Sequence, residues 1–413
     1  MKIIKKTFEQ MAIELEQFRK HIAQISEIDP IIIEPKSAHG VWVEDIHGKK
    51  YIDMLSGICV GNAGHKNPKV VEAIQKQCED YLHVMVYGEF IQKPQLDYAL
   101  RIKEFLPQEL TQIFYVNSGS EAIEGAIKAA KLYNHKNKII SYANSYHGST
   151  IGCVSMLSDD KFRRDFLPLL PCTDNIRFNC EEDLLKIDED TCCVVAETLA
   201  VGEGVQLPQN NYMKKLRERC NEVGAVLILD EIQTGFGRSG TLFAFEQFGF
   251  APDILCIAKA MGGGLPIGAF IGKEDIMQRL NNHHPLIGHA TTYGGNPVCL
   301  AAALAQLNEI TSLLDKDVKG ENELTVFEKG EIYRRELKHK HIKEVVGLGL
   351  FNAIYLNDGV DWQKVLISCF NNGIITGTHL FNSNAISIKP PLNITKDEIH
   401  ESISRILKAF DKI

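Results

Sequence analysis

The sequence lacks several features that mark particular classes of protein. No run of like charges is long enough to form a tail, and the net charge of −8 argues against nucleic acid or an anionic membrane surface as the main partner. The longest apolar segments have only the length of a β-strand, so neither a membrane span nor a signal peptide is predicted. We therefore expect a cytoplasmic protein that does not bind membranes or nucleic acid.

Cysteine is present, but not in a pattern that forms disulfides or binds metal. The eleven cysteines are an odd number, and no two of them form a C-x-x-C pair. Most lie within apolar runs, which is typical of small buried side chains in a reducing compartment. The adjacent His283 and His284 have no second pair of ligands at a suitable spacing. No metal site is predicted.

Three apolar, strand-like runs in the middle of the chain each end next to a residue that can carry charge. The runs lead to Glu197, to Asp230 and to Lys259, at intervals of about 30 residues, which is long enough for a crossover helix in a parallel sheet. A helical pattern over Tyr212–Val223 fills the first interval. Because ligands of such sheets bind at the carboxyl ends of the strands, these three side chains are expected to share one site.

Lys259 is followed by the glycine-rich loop Gly262–Gly264. A lysine at the end of a strand usually extends to the surface, where its ammonium keeps its water. The two acidic residues predicted beside Lys259 instead favour a reactive amine that binds an electrophilic cofactor.

A second signal is the strand–turn–helix pattern around Asn117–Ser120. The strand Gln112–Val116 leads into this turn, and a helix is predicted over Glu121–Tyr133. The free N–H groups of Gly119 and Ser120 at a helix N-terminus form a natural anion site, although an ordinary serine cap would have the same sequence. Because neither a dinucleotide fingerprint nor a P-loop is present, a single phosphate group fits better than a nucleotide.

A planar ligand is indicated by Tyr146, which lies in a loop among small polar residues, so that its ring is free to stack. Asp230 can pair with a protonated ring nitrogen, and Lys259 can hold an aldehyde carbon as a Schiff base. Together with the phosphate site, these groups indicate pyridoxal 5'-phosphate as the cofactor.

Five motifs, taken in order, resemble the class III (ω-type) aminotransferases of fold type I, and the resemblance extends over residues 35–405. The motifs lie at Asn117–Ala122, Tyr146–Gly148, Leu229–Gly240, Ala258–Gly264 and His289–Pro297. The resemblance implies an α/β fold, with a large cofactor-binding domain on a mostly parallel sheet of the seven-stranded type and a smaller α+β domain built from both termini. The corresponding boundaries are an N-terminal segment 1–65, a large domain 66–305 and a C-terminal small domain 306–413.

The resemblance also implies a role for each motif residue. Tyr146 would stack on one face of the cofactor ring and Ile232 would pack on the other. Gln233 would reach the ring hydroxyl, and Lys259 and Asp230 would be the catalytic residues. The cofactor-binding residues implied in this way are Ser118, Gly119, Ser120, Tyr146, His147, Glu197, Asp230, Ile232, Gln233, Lys259 and Thr292.

Two of these residues carry an additional implication. Thr292 would reach the phosphate of the neighbouring subunit's cofactor, so the resemblance implies a homodimer. Glu197 matches the glutamate of the family's Glu-Pro motif, but Thr198 replaces the proline.

The implied reaction moves an amino group from an amino acid or ω-amino donor to an oxo acid in two half-reactions at one site, with ping-pong kinetics. An aminomutase, decarboxylase or racemase would use the same lysine, so these activities stay open as alternatives. A catalytically silent binding protein on this fold is a further alternative from a different class.

The substrate is left open because this sequence departs from its relatives. Many members bind a substrate carboxylate through an arginine where Ser387 stands here, and pair that arginine with a glutamate where Gly202 stands. Ornithine is disfavoured by Ile58, which replaces a tyrosine, and acetylornithine by Ser149, which replaces an arginine. The remaining candidates for binding a carboxylate are Lys389, Arg163 and Arg164.

Overall fold

The computed structural model describes residues 8–23, 33–85, 88–281 and 289–413, and it has an α/β architecture with three β-sheets. Within this part of the chain, the helices are α1 (Phe8–His21), α2 (Ser56–Cys59), α3 (Pro68–Asp80), α4 (Lys93–Lys103), α5 (Gly119–Asn134), α6 (Ile151–Ser155), α7 (Tyr212–Val223), α8 (Glu274–Asn281), α9 (Pro297–Lys319), α10 (Val326–Glu336), α11 (Trp362–Asn371) and α12 (Lys396–Phe410). The strands are β1 (Pro35–His39), β2 (Trp42–Asp45), β3 (Lys50–Asp53), β4 (Leu110–Val116), β5 (Lys138–Tyr142), β6 (Thr173–Ile176), β7 (Thr191–Glu197), β8 (Val226–Asp230), β9 (Ile254–Ile257), β10 (Gly268–Lys273), β11 (Ile342–Leu348), β12 (Phe351–Leu356), β13 (Ile374–Ile375), β14 (Thr378–His379) and β15 (Asn382–Ile388).

The central sheet has seven strands in the order β4-β10-β9-β8-β7-β5-β6. Strands β9, β8, β7, β5 and β6 run parallel to one another, whereas β10 is antiparallel to both β9 and β4. The predicted mostly parallel, seven-stranded sheet is therefore confirmed.

The interior strands of this sheet are apolar because helices cover both faces. Every residue of β7 and β8 is buried, which explains their unbroken runs of Val, Ile, Leu and Cys. Helix α5 packs against the sheet with a face of small residues that includes Ala122, Ala126 and Ala130. Each fully buried Leu or Ile of these strands contributes about 1.5–3 kcal/mol to the free energy of unfolding.

The two smaller sheets contain segments from both ends of the chain. Strands β1, β2 and β3 form a sheet that is completed by β13, which lies parallel to β3, and β11, β12, β15 and β14 form an antiparallel sheet. The predicted small α+β unit built from both termini is therefore present. The boundaries after residues 65 and 305 stay predictions, and helix α9 continues through the second of them.

Helix ends follow their capping residues. At the start of α3, Asn67 accepts hydrogen bonds from the N–H groups of Lys69 and Val70, and at the start of α12, Thr395 forms a capping box with Glu398. Helix α9 continues to Lys319, and Gly320 ends it by adopting a left-handed conformation.

Helix α9 is also the one helix of the described residues that is long and apolar enough to cross a membrane by length and composition alone. Its buried residues include Leu300, Leu307 and Ile310, and it packs against α3 and α4. This pattern is typical of a core helix in a globular protein.

Within the described ranges, no group of His, Cys, Asp or Glu is arranged to hold a metal ion. His283 and His284 lie outside those ranges.

Candidate active site

The three strand ends singled out in the sequence meet at one edge of the central sheet. Strand β7 ends at Glu197 and β8 ends at Asp230, and these two residues are direct partners in the parallel ladder. Strand β9 ends at Ile257, two residues before Lys259. The spacing of the three runs predicts that Glu197, Asp230 and Lys259 lie at the same edge of a parallel sheet, and the structure confirms this arrangement.

Lys259 has an unusual backbone conformation. Its φ angle is 47°, in the left-handed region that non-glycine residues rarely adopt, and Gly263 and Gly264 follow it with φ angles of 59° and 109°. A residue held in this way costs on the order of 1–3 kcal/mol, and such strain concentrates at functional sites. The turn thereby stops the strand and directs the lysine side chain into a cavity.

This cavity has a volume of about 450 Å³, within the range of pockets that hold small molecules. Its lining includes ten of the eleven predicted cofactor residues and omits Thr292, which is exposed on the segment before α9. The ten residues are Ser118, Gly119, Ser120, Tyr146, His147, Glu197, Asp230, Ile232, Gln233 and Lys259. Five further lining residues lie within the sequence motifs but were assigned no role, namely Asn117, Gly148, Thr234, Ala258 and Gly264. Sequence reasoning missed the remaining four, which are Val60, Leu265, Pro266 and Ile267.

One end of the cavity is formed by the N-terminus of helix α5. The Ser118 hydroxyl caps the helix by accepting a hydrogen bond from the Glu121 N–H at 3.2 Å. Because the first N–H groups of a helix have no intrahelical partner, those of Gly119 and Ser120 are left for an anion. The ordinary serine cap is therefore present, and the N–H groups of the next two residues stay available to an anion.

The glycines of this end allow a close approach that a side chain would block. A Cβ atom on Gly119 would lie 2.8 Å from Ile232 Cδ1, and one on Gly148 would lie 2.1 Å from Ser120 Oγ. Because these two positions have no side chain, the Tyr146 loop and Ile232 can pack closely against the N-terminus of helix α5. Tyr146 is 41% exposed, so its ring is open to the cavity as predicted.

Asp230 is held as a hydrogen-bond acceptor on both oxygens. Its Oδ1 accepts from the Ile232 N–H at 3.0 Å, and its Oδ2 lies 2.7 Å from His147 Nδ1. Burial disfavours the charged form of His147, but the hydrogen bond and charge of Asp230 outweigh this effect and raise the pKa of His147. His147 lines the cavity, and its hydrogen bond supports the negative charge of Asp230.

Glu197 and its neighbour Thr198 are both buried, with different partners. Burial raises the pKa of Glu197 to about 7, and its Oε2 accepts a hydrogen bond from the Val201 N–H at 3.3 Å. Thr198 donates to the buried carboxylate of Glu231, which also accepts from Thr234. Thr198, which replaces the family's proline, thus links the residue after β7 to the residue after the neighbouring strand β8.

These residues fit pyridoxal phosphate as a group. The cavity is lined by helix N–H groups and a hydroxyl at one end, by a carboxylate with two ordered donors, and by Lys259. Phosphate, pyridinium and aldehyde groups call for these three kinds of partner.

The substrate side of the cavity differs from the pattern of many relatives. Ser387 is buried on β15 and does not line the cavity, and a Cβ atom on Gly202 would lie 1.8 Å from the backbone oxygen of Asn144. A glutamate at position 202 would therefore require the backbone to move. Arg163 donates to the Leu157 carbonyl, and Arg164 is close to Asp165 on the surface, so neither lines the cavity.

Comparison with known proteins identifies the family. The sequence model of the family described as Aminotransferase class-III matches residues 24–410. The chain belongs to the class-III aminotransferases. Like the family, this class-III aminotransferase uses pyridoxal phosphate to move amino groups between small-molecule donors and oxo acids.

Individual class-III relatives are transaminases. The acetylornithine aminotransferase of Methanocaldococcus jannaschii is 37% identical, over 97% of this chain and 98% of its own. The putrescine aminotransferase of Pectobacterium atrosepticum is 35% identical, over 88% of this chain and 78% of its own. The solved structure of ornithine aminotransferase from Toxoplasma gondii has a TM-score of 0.88 at 27% identity and covers 99% of this chain and 96% of its own. These relatives do not favour the aminomutase, decarboxylase or racemase alternatives.

Proposed function

We propose that this enzyme transfers the terminal amino group of an aliphatic ω-amino donor to an oxo acid, with Lys259 as the residue that binds the cofactor and moves the proton. The observation that carries this proposal is that Lys259 and Asp230 line the same cavity from neighbouring strand ends. When bound there, pyridoxal phosphate supplies an electron sink for the bond that breaks at the substrate carbon.

Each residue has a task that follows from its chemistry. The Gly119 and Ser120 N–H groups would bind the phosphate, Tyr146 and Ile232 would enclose the ring, and Asp230 would supply the negative charge for the ring nitrogen. The free amine of Lys259 then takes the proton from the substrate carbon as a general base and returns it as a general acid.

The donor class is supported by the departures from the family pattern. The relatives include enzymes named for acetylornithine, ornithine and putrescine, and each of these compounds carries a primary amine at the end of a carbon chain. Ser149 and Ser387 leave a donor's carboxylate without an arginine at either place. Loss of one charged hydrogen bond of this kind costs about 1.5–3 kcal/mol, or about 10- to 150-fold in kcat/KM.

We therefore expect putrescine to be used at least as well as acetylornithine or ornithine when each is tested against 2-oxoglutarate and pyruvate. A preference of more than tenfold for acetylornithine would contradict this choice of donor, while leaving the aminotransferase reaction itself intact.

A cytoplasmic homodimer is part of the same proposal. Thr292 is exposed, and the ring of Tyr293 beside it packs on the ring of His83. The segment before α9 and the segment after α3 therefore lie next to each other on the surface. Helix α4 contacts the same segment through Gln95, which donates to the Gly295 carbonyl at 3.2 Å, and the residues that lead into α4 include the exposed Phe90 and Ile91, which is 94% exposed. Exposed apolar patches of this kind are typical of subunit interfaces. Thr292 of one subunit would then complete the phosphate site of the other.

The decisive experiment is Lys259→Ala in the purified enzyme. We expect no turnover with any donor, together with loss of the covalent cofactor absorption, because the amine is the group that reacts. Lys364→Ala, which removes a surface lysine, is the control and should keep wild-type turnover. Turnover of Lys259→Ala at the wild-type rate would overturn the proposed role.

A further inference from the structure

Lys389 is a buried cation that the proposed reaction does not use. It lies directly after β15 and is 6% exposed. Its N–H donates to the Met54 carbonyl at 2.7 Å, and its own carbonyl accepts from the Ser56 hydroxyl at 2.6 Å. The backbone of Lys389 is therefore held between the N-terminal and C-terminal parts of the chain, in a place where its side chain has little freedom.

The ammonium group has an amide and an aromatic ring as neighbours. Its Nζ lies 3.2 Å from Gln233 Oε1 and 4.5 Å from the centroid of the Phe351 ring. In the part of the chain that the structure describes, no carboxylate forms a salt bridge with it, and burial lowers its pKa to about 8. Burying a charge without an ionic partner lowers the free energy of unfolding, so a functional role would explain why a lysine lies at this position.

The contact with Gln233 determines which way that amide points. A lysine ammonium carries only donors, so the atom that faces it must be the amide oxygen and not the amide nitrogen. Gln233 also lines the cavity, whereas Lys389 does not. With Oε1 held by Lys389, the two donors of Nε2 are left for the cavity.

We propose that Lys389 is a positioning residue for the cofactor, which holds the Gln233 amide so that Nε2 donates to an anionic ring oxygen of bound pyridoxal phosphate. This inference rests on the proposed function, because it takes Gln233 as part of the cofactor site. It replaces the sequence-based hypothesis that Lys389 binds the substrate carboxylate, since Gln233 stands between Lys389 and the cavity.

The test is a double-mutant cycle with Lys389→Met, Gln233→Leu and the double variant. The readout is the fraction of pyridoxal phosphate that each holoenzyme retains in equilibrium dialysis, together with KM for the oxo acid. We expect each single variant to bind the cofactor about tenfold more weakly, and the double variant no more weakly than the worse single one, because Lys389 acts only through the Gln233 amide.

Two controls separate this effect from a general loss of stability. Lys389→Arg keeps the charge and the donors, so it should retain the cofactor better than Lys389→Met. Lys329→Met removes a different buried lysine, whose Nζ donates to the Leu392 carbonyl at 2.8 Å, and should leave cofactor retention unchanged.

Additive losses in the double variant would overturn the proposal. So would a raised KM for the oxo acid in Lys389→Met with unchanged cofactor retention, since that result assigns Lys389 to the substrate. If Lys389→Met does not fold, Gln233→Glu decides instead: its carboxylate can pair with Lys389, so the protein should stay folded and lose the cofactor about tenfold more readily. Unchanged retention in that variant would overturn the proposal. A wild-type enzyme without cofactor or turnover would contradict the proposed function instead.

Discussion

His147 Nδ1 lies 2.7 Å from Asp230 Oδ2, and both side chains are buried at the floor of the cavity. The pair joins the loop after β5 to the end of β8, so that one hydrogen bond aligns two separate parts of the cofactor site. Since Asp230 Oδ1 is already held by a backbone N–H, this contact also determines the orientation of the carboxylate.

We expect His147→Asn to lower kcat/KM by about 10- to 150-fold, because Asp230 loses a charged hydrogen bond worth about 1.5–3 kcal/mol. The pKa of His147 is raised in the folded protein, so its stabilising charge is fully present below the unfolded pKa and is lost as pH rises through the folded value. The difference in melting temperature between wild type and variant should therefore shrink with rising pH. His39→Asn, at an exposed histidine, should show neither effect. A pH-independent difference would contradict the charged pair.

Glu197→Gln should stabilise the protein at pH 8 and have little effect at pH 5. The pKa of Glu197 rises from 4.5 to about 7 on folding, so the folded state is penalised once pH passes the unfolded value, and the full penalty is reached above 7. Two to three pKa units correspond to a penalty on the order of a few kcal/mol. Melting temperatures of the two proteins at the two pH values would measure it. Equal shifts at both pH values, or a similar shift in the exposed Glu203→Gln, would contradict this account.

Arg238 is a fully buried guanidinium that connects the parts of the fold. It donates to the carbonyls of Leu350 and Pro390 and to the side chains of Asn62 and Ser56. Arg238→Met should lower the free energy of unfolding by on the order of 3 kcal/mol or more, because buried acceptors are left without donors. Arg238→Lys should recover less than half of this loss, since an ammonium cannot reproduce the planar fork.

Thermal denaturation would measure both Arg238 variants. Arg335→Met, at a largely exposed arginine, serves as the control and should be close to wild type. If Arg238→Lys were as stable as wild type, the charge alone would explain the contribution of Arg238.

Ile91→Asp should convert the proposed dimer to monomers and abolish most turnover, because it places a charge in the exposed apolar segment that leads into α4, and α4 contacts the Thr292 segment through Gln95 and Gly295. The matched control is Val318→Asp, at a residue that is 88% exposed but lies near the far end of α9, about 30 Å along the helix from Pro297. Sedimentation velocity at several concentrations would give the oligomeric state. A dimeric and active Ile91→Asp enzyme would remove the support for this interface.

The strands of the large sheet could be predicted from sequence because their signals are local. A strand buried on both faces must be continuously apolar, and the acidic residue or lysine that follows it marks its end, so the order of residues along the chain is enough to place Glu197, Asp230 and Lys259 together. The role of β10 could not be predicted. Its antiparallel pairing with β4 depends on a long-range arrangement that leaves no periodic pattern.

The contacts of Lys389 and Gly202 could not be predicted for the same reason. Lys389 meets Gln233 across 156 positions of sequence, and the space around Gly202 is determined by the Asn144 backbone. The type of residue at one position does not reveal which atoms from distant parts of the chain surround it. Sequence alone could therefore name Lys389 only as a candidate ligand of the substrate carboxylate.

The left-handed backbone of Lys259 has a consequence for how this protein would evolve. Glycine or asparagine would adopt that conformation with less strain, so replacing the lysine with either one should make the folded chain more stable, although inactive. Substitution by either of these two residues is therefore favoured on stability grounds alone. Its presence here indicates that natural selection has preserved the chemistry of the site, and a descendant freed from that selection should lose this residue among the first.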